Sequence, residues 1–153
     1  MSKIIVDISG LEKLKRSLRD SPTVALSEIG TAMKKGAYAV QNQAIKEAPV
    51  NKQSGGGNLR QNIRVTLISK IKAVITSKAP YSSWVEDGTR PHVITIKNKR
   101  VLANRRTGQI FGTRVNHPGT SPNPFMKRAV ERTKSQVSGF FKTAIKNILR
   151  KSL

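Results

Sequence analysis

The chain contains no cysteine. Disulfide cross-links, thiolate zinc sites and cysteine nucleophiles are therefore excluded together. Acidic residues are scarce: 8 against 29 lysines and arginines, a formal charge of +21 in 153 residues. Such an excess is costly by self-repulsion unless a negative partner or salt screens it. No apolar run approaches the roughly 20 residues of a membrane span. The patch Ile4-Ile5-Val6 is too short for a signal peptide and is broken by Asp7. The expectation is a soluble protein with no encoded address and no membrane partner. Apolar residues make up 37%, a lean core that gains from a partner subunit covering leftover apolar surface.

The shortage of acid is concentrated in one place. Between Asp87 and Glu131 no carboxylate occurs, while the run Gly88 to Val130 carries nine lysines or arginines and both histidines. Two proline and glycine motifs punctuate it. One is Gly88-Thr89-Arg90-Pro91-His92. The other is His117-Pro118-Gly119-Thr120, leading to Pro122-Asn123-Pro124-Phe125. A basic segment broken in this way does not read as buried core. It reads as an exposed arm or loop that meets a polyanion or an acidic protein surface.

The flanking sequence supplies the scaffold. Ile4, Val6 and Ile8 alternate as a short strand. Ser9 then caps a short helix with Leu11, Leu14 and Leu18 on one side, and Glu12 stands at the capping-box spacing. Ser21 caps a longer helix with Pro22 at its first position. Leu26, Ile29, Met33, Ala37, Val40 and Ala44 form its apolar stripe, and it stops near Glu47 because Pro49 disfavours helical geometry at Ala48. Gly30 and Gly36 weaken it by about 1 kcal/mol each unless close packing compensates. A glycine loop over 51–58 leads to two alternating runs, Ile63-Val65-Leu67 and Ile71-Ala73-Ile75, which read as a hairpin turning at Ser69-Lys70. Tyr81 to Glu86 reads as a further strand. Val93–Ile96 and Gln109–Phe111, separated by a turn over Asn104–Gly108, read as a basic hairpin or extended arm spanning 90–116. A final helix runs over 124–150, with Asn123 as cap, Pro124 first, and Met126, Val130, Val137, Phe140, Phe141, Ala144, Ile145 and Ile148 on its apolar face. The expected architecture is a single α+β domain over 1–153, with long helices packed on a small, mostly antiparallel sheet.

Catalytic chemistry has little support. Glu86, Asp87, His92 and His117 could approach one another, but their spacing matches no metal-ligand signature, and turn-shaping is the favoured role. No Gly-x-Ser-x-Gly nucleophile turn occurs, and Gly55-Gly56-Gly57 lacks the Lys-Ser/Thr of a phosphate loop. No enzyme activity and no cofactor are expected. The basic run holds one aromatic, Phe111, before the final helix, whereas single-strand stacking platforms use several. Backbone-level contact with double-stranded DNA remains open.

Four features in order carry a resemblance: Ala48-Pro49-Val50 closing a long helix; Asn58-Leu59-Arg60 and Ile63 after a glycine loop; Tyr81 to Thr89 running into Arg90-Pro91-His92; and His117-Pro118-Gly119-Thr120 before Pro124-Phe125. Together they resemble the gene-product-ten-like family of siphophage neck proteins, which serve in head–tail joining and tail completion. The likeness extends over about residues 20 to 145. The glycine loop is longer than the family's, and Asp87 stands where a bulky residue is usual. The resemblance implies a non-enzymatic virion protein of the neck between capsid and tail, assembled in the host cytoplasm. It implies a homo-oligomeric ring of six or twelve subunits, adjacent connector and tail proteins as partners, and DNA passing through. Pro49, Leu59, Tyr81, Trp84, Glu86, Gly88, Thr89, His117, Pro118, Gly119, Pro124 and Phe125 are then the residues that shape the family core and its turns. Arg90, Lys97, Lys99, Arg100, Arg105, Arg106 and Arg114 are the expected contacts to a partner or the DNA channel. The alternative expectation is a sequence-nonspecific nucleic-acid-binding protein unrelated to virions.

Overall fold

The structure, a computed structural model, describes residues 15–16, 19–20, 22–51, 56–97, 100–104 and 107–151. The expected strand Ile4–Ile8, the cap at Ser9 with Leu11, Leu14 and Leu18 of the short helix, the cap at Ser21 and residues 52–55 of the glycine loop lie outside the described residues, and residues 15–16 and 19–20 are helical. The chain divides into two compact units. One comprises the described residues of Met1–Ala79 and Phe125–Leu153, the other Pro80–Pro124. The α+β class holds, with long helices and small antiparallel sheets.

In the first unit, helix α1 spans Pro22–Glu47 and buries Ala25, Gly30, Ala32, Gly36, Ala37, Val40 and Ala44. Small side chains on that face let neighbouring backbones come close. A Cβ at Gly36 would sit 3.2 Å from Val137 Cγ1, and one at Gly30 would sit 3.4 Å from the Lys70 carbonyl oxygen. The two glycines that cost helix propensity thus mark where α1 meets two neighbours. Ala48 N–H still donates to Ala44 O before Pro49 ends the helix. The freed carbonyls are capped from a distance: Arg60 donates through Nε to Ala48 O at 2.8 Å and through Nη2 to Lys46 O at 3.2 Å.

Arg60 belongs to the short helix α2, Asn58–Gln61, which also buries Leu59. Strands β1, Ile63–Ser69, and β2, Lys72–Ser77, follow as an antiparallel pair with Val65 opposite Ile75, and both strands contact α1. The register slips between Leu67 and Ser69, so Ile68 is the bulged residue. Ile63 is fully buried, and Gln41 of α1 donates to its carbonyl oxygen at 2.9 Å.

Helix α4, Phe125–Lys151, completes the unit and makes its most extensive contact with α1. Phe125, Ala129 and Ile148 are its most deeply buried apolar residues. Thr133, buried between them, satisfies its hydroxyl on Ala129 O at 2.7 Å. Ion pairs fasten both ends. Glu47, at the end of α1, meets Arg128 at 3.2 Å and Arg132 at 2.7 Å; Glu28, near its start, meets Lys151 at 2.7 Å. These pairs fix α1 and α4 as antiparallel neighbours. Among the described residues no helix is long and apolar enough to cross a membrane.

The second unit opens with a correction. Ser82–Asp87 is a helix, α3, where a strand is expected over 81–86. Val85 N–H donates to Tyr81 O, and Ser82, Val85 and Glu86 are its half-buried positions, the spacing of a helix face. In a six-residue window the alternation of Trp84 and Glu86 suits either period, and tertiary context decides. The rest is one nested hairpin. Strand β3, His92–Thr95, pairs with β6, Arg114–His117; inside it β4, Leu102–Ala103, pairs with β5, Ile110–Gly112. Both ladders are antiparallel, as a hairpin arm requires. The turn is closed by Asn104 N–H donating to Gln109 O and Gly108 N–H to Asn104 O, both at 2.8 Å.

Candidate functional site: a basic hairpin closed by two glycine motifs

The two motifs that bracket the acid-free run come together at the base of the hairpin. Thr89 and Thr120 form a bridge in which each backbone N–H donates to the other's carbonyl, at 3.0 and 3.1 Å. Their hydroxyls lie 3.3 Å apart. Such proximity needs glycine on both sides. Gly88 has φ 73° and Gly119 has φ 89°. A Cβ at Gly88 would lie 2.4 Å from Thr120 O, and one at Gly119 would lie 2.2 Å from Thr89 O. Each motif therefore excludes any side chain at the glycine that faces the other.

Three residues further along each strand, where the β3–β6 ladder begins, His92 and His117 are paired and stack with centroids 4.9 Å apart. His92 Nδ1 sits 2.9 Å from the Arg90 carbonyl oxygen, so it carries the proton and donates. Gly119 N–H donates to His117 Nδ1 at 3.0 Å, so that nitrogen carries a lone pair. Both rings thus serve the two proline turns. Among the described residues no three histidines, aspartates or glutamates converge to hold a metal ion.

The described cations of the arm, Arg90, Lys97, Arg100 and Arg114, are all exposed. Arg114 lies opposite Thr95 in the outer ladder. Lys99, Arg105 and Arg106 lie outside the described residues. Of the residues expected to shape the family core, Leu59 and Phe125 are buried, Glu86, Gly88, Thr89, His117, Gly119 and Pro124 are half-buried, and Pro49, Tyr81, Trp84 and Pro118 are exposed. Trp84, at 61% exposure, offers its ring to solvent from α3.

Two surfaces of the first unit escaped the sequence reading. The β1–β2 turn exposes Leu67, Ile68 and Ile71, the last two at 57% and 58%. Beside it lies an open groove of about 390 Å³, lined by Leu26, Gly30, Met33, Leu67 and Lys70 among others. Strict alternation assigned Ile71 to a strand, whereas the structure places it in the turn. The second surface is the outer face of α4, where Lys134, Lys142 and Lys146 are exposed. Their spacing was visible in the sequence as a polar helical face opposite the apolar stripe.

The two carboxylates of α1, Glu28 and Glu47, show how few acids remain for outside partners. Hydrogen bonds from Arg128 and then Gln43 hold the Glu47 carboxyl below its ordinary range, and those from Lys151 and Asn147 do the same for Glu28. Both acids are committed within the chain.

The geometry thus gives an exposed basic hairpin closed at its base by two glycine motifs. A family model described as "Bacteriophage HK97-gp10, putative tail-component" matches residues 12–88, and the chain belongs to this family. It is a bacteriophage structural protein of the tail-component class. No curated protein and no solved structure matches the chain.

Proposed function

We propose that the protein is a ring subunit of the connector between phage head and tail, through which DNA passes. The β3–β6 hairpin is its electrostatic contact arm, and the subunit serves assembly, with no catalytic role. The observation that carries the reading is the arm itself. Its described cations, Arg90, Lys97, Arg100 and Arg114, stand exposed along the hairpin, Arg114 on the β3–β6 ladder itself, and the base of the hairpin is fixed by reciprocal glycine contacts. A cation on a paired hairpin, such as Arg114, loses less freedom on binding than the same residue on a loose loop, so its attraction to a negative surface is better used. Arg90, Lys97, Lys99, Arg100, Arg105, Arg106 and Arg114 are the contacts, to an acidic face of the adjacent connector or tail protein or to the DNA in the channel.

Charge also constrains the ring of six or twelve. Copies of a +21 chain repel, and Glu28 and Glu47 are already paired internally. Contact between copies therefore draws on apolar surface, and the Leu67-Ile68-Ile71 turn offers it. The virion neck is the resulting location, reached after assembly in the host cytoplasm.

The test replaces Arg100, Arg105 and Arg106 with serine in the phage. Filled heads and finished tails that fail to join are the expected outcome. Normal joining overturns the arm's role.

A further inference from the structure

The arm does not exhaust the protein's positive charge. Helix α4 carries eight lysines and arginines against one acid, Glu131. Arg128 and Arg132 are held by Glu47, and Lys151 by Glu28. Lys134, Lys142 and Lys146 are exposed and, among the described residues, take part in no ion pair. At 100° per residue these three fall within about a third of the helix circumference, and they span roughly 18 Å along the axis. That length matches about five phosphates of one strand at 3.4 Å per step. Ser135, Ser138 and Lys127 are exposed within the same arc, together with its one acid, Glu131.

The chemistry of the face selects between two kinds of negative partner. Protein interfaces are anchored by aromatics, methionine and arginine and are depleted in lysine and serine. This arc is mainly lysine and serine, with Glu131 as its single acid against four lysines and Ile145 as its one exposed large apolar residue. Lysine and serine side chains on a straight element are what contacts to the phosphate backbone use, without reading bases. We infer that the outer face of α4 is a sequence-independent surface for duplex DNA, separate from the hairpin arm. The inference rests on the connector reading only for the source of the DNA, because the binding itself is measured without a virion.

The probe is a 30-base-pair mixed-sequence duplex, titrated with the full-length protein at salt from 50 to 200 mM. Each lost phosphate contact lowers the slope of log affinity against log salt by about 0.9, so Lys134→Gln/Lys142→Gln/Lys146→Gln lowers it by about 2.7. Across that salt range the wild type then loses about 40-fold more affinity than the variant. Glutamine preserves helix propensity, and an unchanged circular dichroism spectrum and oligomeric mass show that the fold is intact. An unchanged slope in the folded variant overturns the proposal, as does the absence of duplex binding by the wild type. Loss of binding to poly-L-glutamate with duplex binding retained also overturns it, in favour of an acidic protein partner. Arg90→Ser/Arg100→Ser/Arg114→Ser, which removes arm cations, leaves the α4 contribution in place. Failure of the connector reading shows elsewhere, as normal head–tail joining in the arm variant, so the two can fail separately.

Discussion

Replacing Gly119 with alanine attacks the closure of the hairpin where sequence and geometry meet. The residue has φ 89°, and this left-handed backbone costs an L side chain about 1–2 kcal/mol. The new Cβ would sit 2.2 Å from Thr89 O, where real Cβ atoms stay beyond 3.0 Å. The strands must separate by the difference, and the two Thr89–Thr120 hydrogen bonds at 3.0 and 3.1 Å are what hold them. Losing both costs about 2 kcal/mol more, at roughly 1 kcal/mol net each. Gly108→Ala supplies the internal control. Its φ is 72°, yet nothing lies within 4 Å of its Cβ position, so it bears the backbone cost alone. Hydrogen exchange at the Thr89 and Thr120 amides, followed by mass spectrometry on the full chain, separates the two effects. The difference of about 2 kcal/mol corresponds to roughly 30-fold faster exchange in Gly119→Ala than in Gly108→Ala. Equal protection in the two variants would refute the close-approach argument and leave only a turn preference.

Phe125→Ala removes a fully buried ring at the start of α4 and is expected to cost about 3–5 kcal/mol in urea unfolding. A loss under 1 kcal/mol would mean that the site is not core. The pairing of Glu47 makes stability depend on acid. Its folded carboxyl titrates below the unfolded value of about 4.3, so its contribution is full above that pH and is lost as pH falls through the folded value. Glu47→Gln should therefore be less stable at neutral pH and should flatten acid unfolding below about pH 4, as read by thermal melts across pH. An unchanged acid limb would remove the clamp from the account. Ile68→Lys/Ile71→Lys should shift the assembled protein toward monomer in native mass measurements, and an unaltered oligomer would exclude the β1–β2 turn as the contact.

The parts of the fold that sequence reveals are those defined locally. Pro22, a stripe of small and apolar residues and Pro49 delimit α1 to within a residue of its observed end. The β1–β2 hairpin is legible because Ile63, Val65 and Ala73, Ile75 alternate on both sides of one turn. Strand β6 was missed because Arg114-Val115-Asn116-His117 holds a single apolar residue; its conformation is imposed by pairing with β3. Helix α3 was misread because six residues are too few to separate a period of 2 from one of 3.6. The partners of Glu47 stand 81 residues away at Arg128, beyond any local signal. The basic run and its two bracketing motifs were visible, but not that Gly88 and Gly119 face each other's threonine. That relation is a property of closure, and only the backbone geometry discloses it.

The central claim is that this phage structural protein joins heads to tails. Electron microscopy of lysates from the phage with the gene disrupted tests it directly. DNA-filled heads beside full-length, unattached tails are the predicted result, with joining restored when the purified protein is added. Complete virions, or heads accompanied by no tails at all, would contradict the claim; the second outcome would assign the protein to tail assembly instead.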